Sequence, residues 1–197
     1  MSHIRPARLH DLPGTYRACL HTSDAGGDGS ALYQNPDLLG HIYVGPYIVG
    51  EPHFAFVIAD DHGVAGYVLG TPDTRVFEAW QEREWWPALR AAYPMAGGDT
   101  LDDELIAQIH TPVTAPDTVV ANYPAHLHID LLPRVQGRGL GRVMLETLFE
   151  ALRAGGVSGI HLDVGEDNHN AIAFYRHLGF AELARGTDSI YLGMELS

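Results

Sequence analysis

Apolar residues recur along the chain with two periods, and the changes between them mark out the elements. IRPARLH (4–10) reads as a short first strand, and Asp11 stands where a cap would open a helix running to about Leu20, with Pro13 tolerated in its first turn. GGDGS (26–30) reads as a flexible loop. From 31 to 52 the pattern is broken by Pro36, Pro46 and Pro52, which leaves one short helix. HFAFVIA (53–59) and VAGYVLG (64–70) flank the turn cluster Asp60-Asp61-His62-Gly63 and predict an antiparallel hairpin.

From 125 the pattern is regular. His126, His128 and Asp130 alternate with Leu127, Ile129 and Leu131, the period-two mark of a strand with two distinct faces. Gly139 opens a helical pattern in which Met144, Leu148 and Leu152 form one stripe, with Leu145 and Phe149 beside it, and Gly155-Gly156 ends it. GIHLDVG (159–165) is another strand. Asp167-Asn168 caps a helix through Leu178, stopped by Gly179, and SIYLGMEL closes the chain as a strand. No internal repeat interrupts this order.

Between the hairpin and residue 125 the chain changes character. Residues 72–120 carry nine acids against Arg75, Arg83 and Arg90, a net charge of −6 over 49 residues, together with Trp80, Trp85 and Trp86. Two helices, about 75–92 and 101–109, are expected to form an insertion between strands. The segment reads equally as a packed aromatic elbow with a solvated acidic face and as the wall of a substrate cleft.

Composition narrows the function. A chain of 197 residues, 46% hydrophobic and 19% charged, fits one globular domain spanning 1–197. The lone Cys19 excludes an internal disulfide and fits a reducing compartment. The opening MSHIRPARLHDLPG lacks the apolar core of a secretory signal and no apolar run approaches membrane-spanning length, so a cytoplasmic location and no membrane partner are expected. A net charge of −13 argues against nucleic acid and is compatible with a cationic amine.

One short stretch runs against this acidity. Gln136-Gly137-Arg138-Gly139-Leu140-Gly141 lies between a strand and a helix. Glycines there permit a sharp turn and close approach of a ligand. The free N–H groups of the helix's first turn then converge on one anion, and Arg138 and Arg142 add charge at the rim. A Rossmann fold would place such glycines after an early strand with an acid about 20 residues on, and a Walker loop needs a lysine, which the chain lacks. His126-x-His128-x-Asp130 admits a metal reading, since alternate residues share a face, but scattered histidines make it the weaker one and no metal is expected.

The loop resembles that of the GCN5-related N-acetyltransferase (GNAT) superfamily, whose acetyl-CoA loop, Gln/Arg-x-x-Gly-x-Gly/Ala, is matched by Gln136, Gly139 and Gly141. The order downstream also matches, ending in NHNAIAFYRHLGF (168–180). HFAFVIADDHGVAGYVLGTPD, EWWPALRAAYP and ANYPAHLHIDLLP are similar to the acetyltransferase-like domain of eukaryotic O-GlcNAcases, in which the glycine loop is eroded; here it is intact. The resemblance implies an α/β fold of GNAT type, with a mixed, mostly antiparallel sheet of six to seven strands flanked by helices, and an acetyl-CoA-dependent N-acetyltransferase working by direct attack of the amine on the thioester. It also implies that the backbone of Ile129, Asp130 and Leu131 pairs with pantetheine and that Gly137 to Arg142 hold the pyrophosphate. Asn168 would touch the pantetheine arm and Tyr175 would protonate the departing thiolate. Seven residues separate Asn168 from Tyr175, nearly two helical turns, so both face one side.

For the base, Asp130 ranks ahead of Asp163 and His128. The acid and histidine of one strand are equally able to bond only to each other, and water chains serve in some members. The acceptor is expected to be a small-molecule amine or a basic peptide, and a homodimer is compatible with the resemblance. The competing reading is a non-catalytic acetyl-CoA-binding or protein-interaction module.

Overall fold

The computed structural model describes residues 2–95 and 97–196. Strand β1 (His3–Pro6) is shorter than the alternation suggested. Its pairing stops at Pro6, and Asp11 closes the corner behind it. The Asp11 carboxylate accepts from the Arg5 guanidinium at 2.7 and 2.8 Å and from the Arg8 N–H at 2.9 Å. Asp11 precedes α1 (Leu12–Leu20) as expected, but its side chain braces this corner and does not cap the helix.

The proline-broken stretch forms two short helices where one was expected, α2 (Leu38–Tyr43) and α3 (Gly45–Gly50). Pro46 sits in the first turn of α3, where its missing N–H costs nothing, so it starts a helix instead of preventing one. A Cβ at Gly40 would lie 2.2 Å from the Tyr16 ring, which is held by a 3.1 Å hydrogen bond with His41. Gly40→Ala should gain about 1 kcal/mol of helix propensity and lose about 1–3 kcal/mol to overpacking. A net loss of stability in urea unfolding is the expected result, and a stabilised variant would show that Tyr16 is free to move aside.

The hairpin forms as read, with β2 (Ala55–Asp60) and β3 (Gly63–Thr71) antiparallel and β1 on the outer edge of β2. The insertion follows β3. It contains α4 (Thr74–Trp80), a π-helical turn over Gln81–Trp85, α5 (Trp86–Ala92), α6 (Leu101–His110) and α7 (Asp117–Val120). Asp73 caps α4 by accepting from the Val76 N–H at 3.0 Å, and Thr100 with Asp103 forms a capping box at α6.

β4 (Ala125–Leu131) pairs antiparallel with β3. A crossover through α8 (Leu140–Ala154) leads to β5 (Gly159–Gly165), parallel to β4. After α9 (His169–His177), β6 (Ala181–Arg185) and β7 (Ser189–Glu195) complete a seven-stranded sheet of order β1-β2-β3-β4-β5-β7-β6. One sheet face buries Met144, Leu148 and Leu152 of α8 against Val68, Leu127 and Ile160. The other buries Tyr47, Phe77, Trp86 and Ile109 against Val57, Tyr67 and Leu69.

β4 and β5 are joined only at Ala125–Ile160 and His126–His161. Beyond those two pairs they part, which leaves the β4 backbone from Leu127 to Leu131 without a partner on that side. An unpaired strand edge inside the molecule is a template for an extended ligand.

Candidate active site

Two cavities open where β4 and β5 part. The first, of about 720 Å³, takes in Ile129, Asp130 and Leu131 of β4, Gln136, Gly137 and the Gly139–Arg142 turn, and Asn168 and Tyr175 of α9. Gly137 (φ +70°) and Gly139 (φ +72°) adopt the left-handed conformation, and a Cβ at either would meet nothing, so the glycines serve the backbone's turn. Gly139 stands at the N-cap of α8 with no side chain bonded across the helix end, so the N–H groups of the first turn face the cavity. Gln136 donates to the Leu131 carbonyl at 2.7 Å and ties the loop to the strand end. Arg142 lines the cavity; Arg138 is exposed on the same loop and does not. The cavity thus offers an unpaired strand edge at one end and a helix N-terminus with an arginine at the other, a fit to a chain of amides ending in a pyrophosphate.

On the opposite wall Asn168 caps α9, its side-chain oxygen accepting from the Ala171 N–H at 3.1 Å. Tyr175 follows on the same helix, its ring set edge-on to Phe180 at 5.5 Å. Burial, and secondarily the charge of Asp130, push the Tyr175 phenol above its ordinary value, so it is fully protonated at neutral pH.

Asp130 also borders this cavity, and its carboxylate accepts from the Tyr67 hydroxyl. Burial pushes its carboxyl up to about 7, against the opposing hydrogen bonds of Tyr67 and Thr22. A carboxyl whose folded pKa is raised stabilises the fold fully below its unfolded value, near 3.9, and that contribution is lost as pH rises toward 7. Buried His126 and His128 act in the opposite sense, so a comparison with Asp130→Asn isolates the carboxyl. The variant should gain melting temperature over wild type between pH 4 and pH 7; a difference constant across that range would contradict the raised carboxyl.

The second cavity, of about 350 Å³, lies between the β4–β5 opening and the insertion. His128 and Asp163 reach it from the strands, Tyr43 and Tyr47 from α2 and α3, and Glu78 and Trp86 from the insertion. The insertion packs as an aromatic elbow and also borders this cavity. Phe77, Trp80 and Trp85 stack in series at 5.8 and 6.4 Å, and the same helices wall the cavity. Glu78 is paired with Arg75 at 2.7 Å, and Glu82 with Arg90 at 2.8 Å. Asp163 is exposed, and partial desolvation raises its carboxyl above the ordinary value against opposing hydrogen bonds from Ser189 and Val164.

His126 and His128 are engaged by neighbours that a metal reading did not include. Tyr47 Oη lies 2.6 Å from His126 Nε2 and 3.0 Å from His128 Nε2, and Thr74 Oγ1 lies 2.8 Å from His126 Nδ1. Among the described residues no group of three or more histidine, cysteine or acidic side chains is placed to hold a metal. Tyr47, Thr74, Tyr67 and Thr22 were not singled out from the sequence, because nothing local distinguishes them from core residues. Gly26 and Gly27, read only as a flexible loop, line the larger cavity.

The sheet thus parts between a glycine turn at a helix N-terminus on one side and an aromatic cleft on the other. The chain belongs to the Acetyltransferase (GNAT) family, whose family model matches residues 30–180. Its fold is similar to the crystal structure of SsHAT, at 40% identity and a TM-score of 0.91, covering 100% of this chain and 98% of that one. Protein O-GlcNAcase of Rattus norvegicus is 28% identical over 98% of this chain, which spans only 22% of that protein's length. The ribosomal protein bS18-alanine N-acetyltransferase of Salmonella typhimurium is 39% identical over 83 residues, 42% of this chain and 52% of that enzyme. Among the described residues no helix is long and apolar enough to cross a membrane.

Proposed function

We propose that the protein is an N-acetyltransferase that uses acetyl-CoA as donor and a small cationic amine or the amine of a basic peptide as acceptor. The observation that carries this reading is the placement of Ile129–Leu131, the Gly137–Arg142 turn, Asn168 and Tyr175 around or beside one cavity that abuts a second, aromatic one. The unpaired β4 edge binds the pantetheine amides, the first turn of α8 and Arg142 hold the pyrophosphate, and Asn168 borders the arm. Tyr175 donates to the sulfur as the carbon–sulfur bond breaks. The smaller cavity admits the amine, whose positive charge on entry is matched by Asp163 and by the faces of Tyr43 and Trp86.

The test is calorimetric titration with acetyl-CoA, followed by thiol release with a panel of amines. Binding at micromolar to millimolar concentration and turnover with at least one amine are expected. No binding in that range overturns the reading; binding without turnover of any amine leaves the interaction-module alternative in its place.

A further inference from the structure

The β4 histidines belong to a hydrogen-bond chain whose direction follows from its fixed end. The Thr74 hydroxyl donates to the Pro124 carbonyl at 2.7 Å. A carbonyl only accepts, so the Thr74 oxygen must accept from His126 Nδ1–H at 2.8 Å. Burial, with His128 and His161 adding to it, pushes His126 well below its ordinary value and keeps it neutral. Its lone pair is then on Nε2, which accepts from the Tyr47 hydroxyl at 2.6 Å. That commits the Tyr47 proton, and the Tyr47 oxygen accepts from His128 Nε2–H at 3.0 Å.

His128 is also held neutral, pushed down to about 4 by burial and by His161, so its lone pair lies on Nδ1. Nδ1 makes no hydrogen bond among the described residues, and the buried side-chain polar atom left without a partner there is Arg153 Nε. His128 lines the cleft, and Nδ1 is its one ring nitrogen without a hydrogen-bond partner among the described residues. The other two candidate bases are placed differently. Asp130 borders the larger cavity and is engaged by Tyr67, while Asp163 shares the cleft with His128 but faces solvent.

We propose that Thr74, His126 and Tyr47 are positioning residues that hold His128 as its Nε2–H tautomer, so that Nδ1 takes the proton from the attacking amine. This rests on the transferase reading above. The amine, which enters as its cation, first gives one proton to solvent and attacks as the free base; the nitrogen–carbon bond then forms and the carbon–sulfur bond breaks. One proton passes from nitrogen to Nδ1 and one from the Tyr175 hydroxyl to sulfur. Solvent then removes the proton from the imidazolium and returns one to the phenolate. A neutral imidazole suffices because the amine nitrogen becomes acidic as it gains its bond to carbon.

The tautomers are read directly from long-range nitrogen–proton NMR spectra of the full chain labelled with ¹⁵N-histidine, assigned with His126→Gln and His128→Gln. Protonation of His126 at Nδ1 and of His128 at Nε2 is expected; the reverse at either residue overturns the relay. Turnover is measured as thiol release from acetyl-CoA with tyramine, spermidine and a lysine peptide amide. His128→Gln should lower kcat by roughly 10²-fold or more. Tyr47→Phe, which keeps the ring, should lower it about 10-fold, with the KM for acetyl-CoA unchanged in both. Full turnover in His128→Gln, or a loss confined to Asp163→Asn, overturns the proposal. Failure of the transferase reading shows separately, as a wild type that turns over none of the probes while its tautomers still report on the relay.

Discussion

Tyr175→Phe is expected to lower kcat by about 10²-fold or more while acetyl-CoA binds with nearly unchanged affinity. The ring is what packs against Phe180, and phenylalanine keeps it, so the substitution removes little beyond one hydroxyl. That hydroxyl is held in its protonated form by burial, and Tyr175 lines the larger cavity that Asn168 also borders. A donor that helps only while sulfur gains charge acts on the transition state, so kcat and kcat/KM should fall together. Thiol release under saturating acetyl-CoA, with calorimetric affinity alongside, separates the outcomes. Equal loss of affinity and turnover would make Tyr175 a packing residue of the cavity wall.

The second large effect is on stability. Leu148 has no exposed surface and sits where α8 crosses the sheet, with its methyl carbons 3.1 and 3.2 Å from the place a Cβ of Gly70 would occupy. β3 and α8 meet there at glycine distance, and neither backbone is free to close over a void. Leu148→Ala should therefore cost about 2–5 kcal/mol in urea unfolding. Since the first turn of α8 floors the donor cavity, ligand binding opposes unfolding of the same element. Acetyl-CoA at a hundred times its dissociation constant should restore about 2.7 kcal/mol. A loss below about 1 kcal/mol would show that the helix settles into the space.

The larger cavity was legible because its parts are local. The alternation of β4, the glycine turn and the α8 stripe lie within thirty residues of each other, and each owes its form to its own neighbours. The same holds for Asn168 and Tyr175, which one helix sets on one wall. The smaller cavity is assembled from distance. Tyr47 meets His126 across 79 positions and Thr74 meets it across 52, and no periodicity encodes either contact. β6 was missed for a different reason: AELAR forms an edge strand with little buried surface, so its pattern of apolar positions is faint. Pro46 of α3 misled in turn, because a proline in a first turn starts a helix while the same residue in an interior ends one.

The π-helical turn at Gln81–Trp85 bears on how such a cleft changes over evolutionary time. Five residues lie in a turn that ordinarily takes fewer, and Gln81, Glu82 and Trp86, at or just beyond its two ends, all border the smaller cavity. Loss of one residue there would return the turn toward ordinary α-helical spacing while α4 keeps its cap on Asp73. A single-codon deletion in the insertion would thus reshape the smaller cavity and leave the glycine turn between β4 and α8 in place.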